Sequence, residues 1–167
     1  CACITALTMS GQPTRRFAFE AFLPYDKKER AQILENLRNE TRTIIIYEAP
    51  HHLKKTLKEC REYLGNRNMT VCKELTKRYE QKRKSTLDEM IAYYEENEPR
   101  GEYVLIFEGK SLQELKEEKQ QEWNQLTGQE HMDHYLEKGM DKKSAMKQVA
   151  KDRGVSKRDI YQELLKK

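Results

Sequence analysis

Apolar residues change their spacing repeatedly along the first two thirds of the chain. "TIIIYE" at Thr43–Glu48 sets three isoleucines in succession, the pattern of a strand buried on both faces. "YVLIF" at 103–107 reads the same way, and "MTVCKEL" from Met69 is a further strand. "FAFEAF" at 17–22 alternates instead, with Phe17, Phe19 and Ala21 on one side and Ala18, Glu20 and Phe22 on the other. "RYEQKRKST" at 78–86 predicts an exposed, strongly basic strand. Between these the period becomes helical. Ala31, Leu34 and Leu37 follow the D-x-x-E cap of Asp26 and Glu29; Leu53, Leu57, Cys60 and Leu64 follow Pro50 and stop at Gly65. Leu87, Met90, Ile91 and Tyr94 form a third stripe, with Ser85 and Asp88 as its expected caps. The opening "CACITALTMSG" predicts a small-residue helix ended by Gly11. Strands interleaved with helices predict an α/β fold with a mixed sheet, mixed because one strand pair is close enough to form a hairpin.

From Ser111 the pattern changes. Leu112, Leu115, Trp123 and Leu126 make a thin stripe in a Glu/Lys/Gln-rich helix, expected as a spacer over 111–128. Residues 129–167 follow with short helical patterns and no strand. "AMKQVAKDRGVSKRDIYQELL" has a helix-turn-helix arrangement: small Ala150 at the crossing, Gly154 in the turn, and Ser156 with Asp159 capping the second helix. Val149, Val155, Ile160 and Leu164 are its expected core, while Lys157, Arg158, Tyr161, Gln162 and Lys166 are expected to face solvent.

The net charge of +4 is too small to identify a polyanionic partner, but its distribution is uneven. From Lys138 onward ten basic residues stand against four acidic ones, which suits nucleic-acid contact; a helical hairpin packing on its own protein is the other reading. Lys73, Lys77, Arg78, Lys82, Arg83 and Lys84 form a second basic strip, suited to an RNA backbone or to guarding a sheet edge. The cysteines (Cys1, Cys3, Cys60, Cys72) include no C-x-x-C pair, and free thiols in a reducing cytosol are expected. His131 and His134 sit three apart, a spacing some metal sites use, but no acidic or cysteine cluster completes such a set and no metal is expected. No apolar stretch approaches the ~20 residues of a membrane span.

The run "CACITALTMSG…FAFEAFLP…TIIIYEAPHHL…VCKELTK…GEYVLIFEG" resembles the second half of a tetrapyrrole-methylase-superfamily protein, over about residues 1–110. Within that superfamily it is most similar to the small-subunit rRNA (cytidine-2′-O-)-methyltransferases, through "YEAPHHL" and "KELTK". His52 stands where that branch usually carries arginine. The resemblance implies S-adenosylmethionine bound between two α/β domains of a cytoplasmic homodimer, with small-subunit rRNA or the 30S subunit as partner. It also implies an upstream domain missing from a chain that opens without methionine, leaving this segment inactive alone. Cys1, Ala2, Tyr47, Glu48 and Leu75 are the implied cofactor contacts, Leu75 through its backbone. Glu74 and Lys77 are the candidates for handling the ribose or a phosphate, and a structural ion pair is their alternative. The rival functions are a DNA-binding regulator dimerised by the α/β part and a methylase of a tetrapyrrole. A porphyrinoid substrate would leave the basic tail and strip without a purpose.

Overall fold

The computed structural model describes residues 1–165; Lys166, one of the candidate RNA contacts, lies outside the described residues. The chain divides into two compact units, 1–111 and 112–167.

The first unit runs α1 (Ala2–Ser10), β1 (Phe17–Phe22), α2 (Lys27–Leu37), β2 (Thr43–Glu48), α3 (Pro50–Leu64), β3 (Asn68–Lys73), β4 (Gln81–Thr86), α4 (Leu87–Glu96) and β5 (Tyr103–Phe107). The sheet order is β1-β2-β5-β3-β4. Only β1 and β2 pair in parallel; the other neighbours are antiparallel, so the sheet is mixed. Ile44, Ile46, Met69, Val71, Leu105 and Phe107 pack with Leu34, Leu53, Leu57 and Met90 in the larger core. Ile45, Cys72, Val104 and Ile106 face the other way, onto Cys3, Ala6 and Leu7 of α1. Both faces of β2 and β5 are therefore covered, which accounts for their unbroken apolar runs.

Two local expectations change. The alternation of "FAFEAF" is interrupted by a bulge: Phe19 lies opposite Ile45 but Ala21 lies opposite Ile46, with Ala21 at φ 53°. The extra residue turns Phe22 to the side that carries Phe19, and both rings meet Tyr47 edge-on at 5.0 and 5.6 Å. The cap of α4 is Thr86 rather than Ser85 and Asp88. Thr86 Oγ1 accepts from the Glu89 amide and the Thr86 amide donates to Glu89 Oε2. Ser85 is still within β4, and Asp88 is engaged by Arg61.

The second unit contains α5 (Leu112–Asn124), α6 (Gly128–Glu137), α7 (Lys142–Arg153) and α8 (Lys157–Leu165). Its core is Met132, Ala145, Val149, Ala150 and Ile160, with Leu164 partly buried against it. Val155, expected in that core, is 43% exposed: it follows Gly154 in the turn, before α8 begins. Gly154 takes φ 66°, and a Cβ there would meet Gln120 Nε2 at 2.5 Å. The glycine thus serves the turn and the close approach of α5 together. Helix α5, expected as a spacer, packs within this unit, where Trp123 stacks on buried His131 at 4.1 Å.

Candidate functional site

Strands β1, β2 and β3 end, and β5 begins, along one edge of the sheet: Phe22 lies opposite Tyr47, Tyr47 opposite Val104, and Lys73 opposite Tyr103. Such an edge is where open α/β sheets place ligands. The non-glycine residues in the left-handed region lie here too: Ala21, Glu74 and Thr76. Strained backbone of this kind costs about 1–3 kcal/mol per residue and persists where surrounding contacts over-determine it.

Tyr47 connects this edge to the start of the chain. The first amides of a helix lack intrahelical acceptors, and in α1 the Cys3 amide donates to the Tyr47 hydroxyl at 3.0 Å. Cys1 and Ala2, both exposed, directly precede this joint. Leu75 and Tyr47 pack against the same small core of Cys3, Leu7, Ile45 and Cys72. Leu75 is flanked by left-handed Glu74 (φ 51°) and Thr76 (φ 63°). Glu74 N donates to Glu102 O at 2.9 Å and Thr76 N to Glu80 Oε2 at 2.7 Å, which hold that turn.

Glu48 is next in sequence to Tyr47 and so projects from the opposite face. It is 6% exposed, and its carboxylate is satisfied within the protein. Oε1 accepts from the Ala49 amide at 2.8 Å, the Thr56 hydroxyl donates to Oε2, and the Arg30 guanidinium stands 3.9 Å from Oε2. Arg30 also donates to Thr56 Oγ1 and to Glu59, each at 2.6 Å. A cavity of about 350 Å³ borders this network, lined by Phe22, Tyr25, Arg30, Glu48, His52 and Lys55 among others. Arg30 and Thr56 were legible only as polar residues on the apolar stripes of α2 and α3, at i−4 from Leu34 and i+3 from Leu53.

Glu74 and Lys77 form an ion pair. Glu74 Oε1 accepts from the Glu102 amide at 2.8 Å and from Lys77 Nζ at 3.2 Å, while Lys77 also reaches Glu102 Oε2 at 2.9 Å. The Glu102 amide and then Lys77 hold the Glu74 carboxyl below its usual range; Glu102 and then Glu74 raise the Lys77 ammonium. Both are therefore charged at neutral pH and matched to each other, which suits tethering better than proton transfer. Gly101 closes this corner at φ 84°, where a Cβ would stand 2.6 Å from Glu74 Oε1.

The basic strip is split by the alternation of β4. Lys82 lies opposite Cys72 and Lys84 opposite Thr70, on the α1 side, where Lys82 Nζ donates to Met9 O at 3.2 Å. Arg83 lies opposite Val71 on the other side, its guanidinium 3.7 Å from the Tyr93 ring centroid. Lys73 pairs with Gln81 on that same side, and Arg78 stands 5.6 Å from the Tyr79 ring. In the second unit Lys157 and Arg158 open α8 and are exposed, as is Tyr161.

A family model described as tetrapyrrole (corrin/porphyrin) methylases matches residues 1–91. Proteins named ribosomal RNA small subunit methyltransferase I are similar over nearly the whole chain. The one from Bacillus subtilis is 45% identical across 96% of this chain and 54% of its own length. That from Halalkalibacterium halodurans is 46% identical across 96% and 55%, and that from a Synechocystis species 38% across 96% and 56%. The chain thus spans a little over half the length of these curated relatives. With its mixed sheet, its motifs along one strand-end edge and these likenesses, the chain belongs to the tetrapyrrole (corrin/porphyrin) methylase family.

Proposed function

We propose that this chain is part of a cytoplasmic enzyme that transfers a methyl group from S-adenosylmethionine to the ribose 2′-hydroxyl of a cytidine in small-subunit rRNA. The observation that carries this reading is the joint between Cys3 and Tyr47, which places the chain start, the end of β2 and the Leu75 turn at one small core. S-adenosylmethionine has an uncharged adenine, a ribose diol and no phosphate, so it calls for an apolar wall and backbone donors rather than a phosphate-binding loop. Tyr47, Leu75 and the backbone at Cys1 and Ala2 supply those, with the rings of Phe19 and Phe22 beside Tyr47. Glu48 acts on this site as a positioning residue: its carboxylate fixes the end of β2 against α2 and α3.

The bound cofactor supplies a methyl group on a positively charged sulfur, already activated for transfer. The chain's own residues therefore serve mainly by alignment. Glu74 and Lys77 hold the turn that presents Leu75, and neither is poised to take the hydroxyl proton. Lys73, Arg78, Arg83, Lys157 and Arg158 supply cations for the rRNA backbone of the 30S partner. Lys77, Lys82 and Lys84 contribute to the field around it, Lys77 and Lys82 from the contacts already described. A homodimer is part of the same reading. Among the described residues no helix is long and apolar enough to cross a membrane.

The test uses a protein of the relatives' full length that contains this segment, supplied with labelled S-adenosylmethionine and 30S subunits. Label should appear in an alkali-resistant dinucleotide containing 2′-O-methylcytidine. Label on a base, or transfer to a corrinoid but not to RNA, would overturn the proposal.

A further inference from the structure

The α4 side of β4 carries a feature that methyl transfer itself does not use. Strand β4 is the edge of the sheet, and Gln81, Lys82, Arg83 and Lys84 are all exposed. Between this edge and the end of α4 lie two adjoining cavities of about 300 and 340 Å³, which share Lys73, Gln81, Tyr93 and Tyr94. The first adds Arg83; the second adds Asn97, Glu98, Arg100 and Tyr103. Among the described residues no carboxylate pairs with Lys73, Arg83 or Arg100, whereas Glu98 is neutralised by Lys54 at 2.7 Å. The cleft is thus positive, with a tyrosine floor.

We propose that this cleft binds single-stranded RNA, with the Arg83–Tyr93 pair as a stacking platform for a base and Lys73 and Arg100 as phosphate contacts. The proposal rests on the rRNA reading above. The Arg83 guanidinium lies 3.7 Å over the Tyr93 ring, which fixes its plane and leaves its outer face for an unstacked base. Gln81 and the Asn97 carbonyl oxygen supply polar groups for a base edge; the Asn97 amide nitrogen is already bound to Tyr93 O at 2.8 Å. The C-terminal end of α4 is partially negative, so it directs phosphates toward Lys73 and β4 and base amino groups toward Asn97.

A second copy of this chain is the competing occupant of an open edge strand. Antiparallel pairing of two β4 edges would set one Lys82-Arg83-Lys84 run against the other, and like charges directly opposed oppose pairing. A polyanion meets no such penalty.

The test is fluorescence anisotropy of a short labelled oligouridylate with the 167-residue chain at several salt concentrations. Combined Lys73→Ala, Arg83→Ala and Arg100→Ala should weaken binding more than about tenfold and flatten the log–log salt slope by about 2, at roughly 0.7 per contact on single strands. Tyr93→Leu keeps an apolar side chain against the core. It should weaken binding roughly five- to 150-fold with the salt slope unchanged, the signature of lost stacking. Circular dichroism checks that each variant is folded. Unchanged binding in both variants, with loss only on Lys157→Ala and Arg158→Ala, would overturn the cleft. So would a concentration-dependent dimer that excludes the oligonucleotide and is abolished by the triple variant. A full-length enzyme that methylates rRNA while this chain ignores oligouridylate would overturn the cleft alone; failure of the ribose-methylation assay is what removes the reading beneath it.

Discussion

The Tyr47 hydroxyl accepts the Cys3 amide across 44 residues of sequence, and that one bond ties the first turn of α1 to the end of β2. Tyr47→Phe leaves the Cys3 amide without this acceptor while keeping the ring contacts with Phe19 and Phe22. Because the site is only part-buried, the expected loss is about 0.5–1.5 kcal/mol of unfolding free energy. Urea unfolding followed by circular dichroism measures it. An unchanged midpoint would mean that the joint contributes nothing in solution.

The Arg30–Thr56–Glu48–Glu59 network predicts unequal effects from two similar changes. Removing the carboxylate by Glu48→Ala leaves Thr56 and the Ala49 amide without an acceptor, and should cost about 3 kcal/mol or more. Glu48→Gln retains a carbonyl oxygen for one donor, and Glu59 still neutralises Arg30 at 2.6 Å, so its cost should be clearly smaller. Equal losses in the same unfolding assay would contradict the network.

His131 makes the second unit sensitive to acid. Its ring is buried, Nδ1 accepts from Arg153 Nε at 3.2 Å, and Nε2 faces Asp152 Oδ2 at 3.3 Å without a hydrogen bond. Trp123, His134 and Tyr135 complete the surroundings. Burial and then Arg153 push the imidazole pKa down, against the opposing pull of Asp152. A folded pKa below the unfolded one means that the unfolded state binds more protons in between. The stabilisation is complete above about pH 6.5 and is lost as pH falls toward the folded value. Trp123 emission, read from a ring stacked on His131, should change over that acid range, and His131→Gln should flatten the change.

The thiols should react in a fixed order. Burial pushes Cys60 up to about 12 and Cys72 up to about 11, and raises Cys3 as well, whereas Cys1 is exposed. The thiolate is the reactive form. Iodoacetamide at mildly alkaline pH should therefore label Cys1 first, with the other three labelled only on unfolding, as mass spectrometry of tryptic peptides would show. Early labelling of Cys60 would place α3 differently.

Much of the architecture could be read from residues whose alternatives are physically poor. Three successive isoleucines suit only a strand covered on both sides, Asp26 suits only a helix start, and Gly154 suits the left-handed turn that it makes. The site was less legible because side-chain direction there depends on parity. Strand geometry alone sends Tyr47 and Glu48 to opposite faces, so a motif that names both does not place both on one ligand. The same rule divides Lys82 and Lys84 from Arg83, turning one basic run into two. Thr86 displaced Ser85 as the cap because β4 extends further than its turn residues suggest, and no local pattern marks the bulge in β1.

That bulge has a consequence beyond the strand that contains it. The extra residue brings Phe22 onto Tyr47, yet the same exposed ring also lines the cavity beside Glu48 and His52. One freely rotating side chain is therefore a shared wall of two compartments on opposite faces of the sheet. Any rotamer that enlarges one necessarily reshapes the other, so deleting Glu20, which restores simple alternation, would uncouple them in a single step.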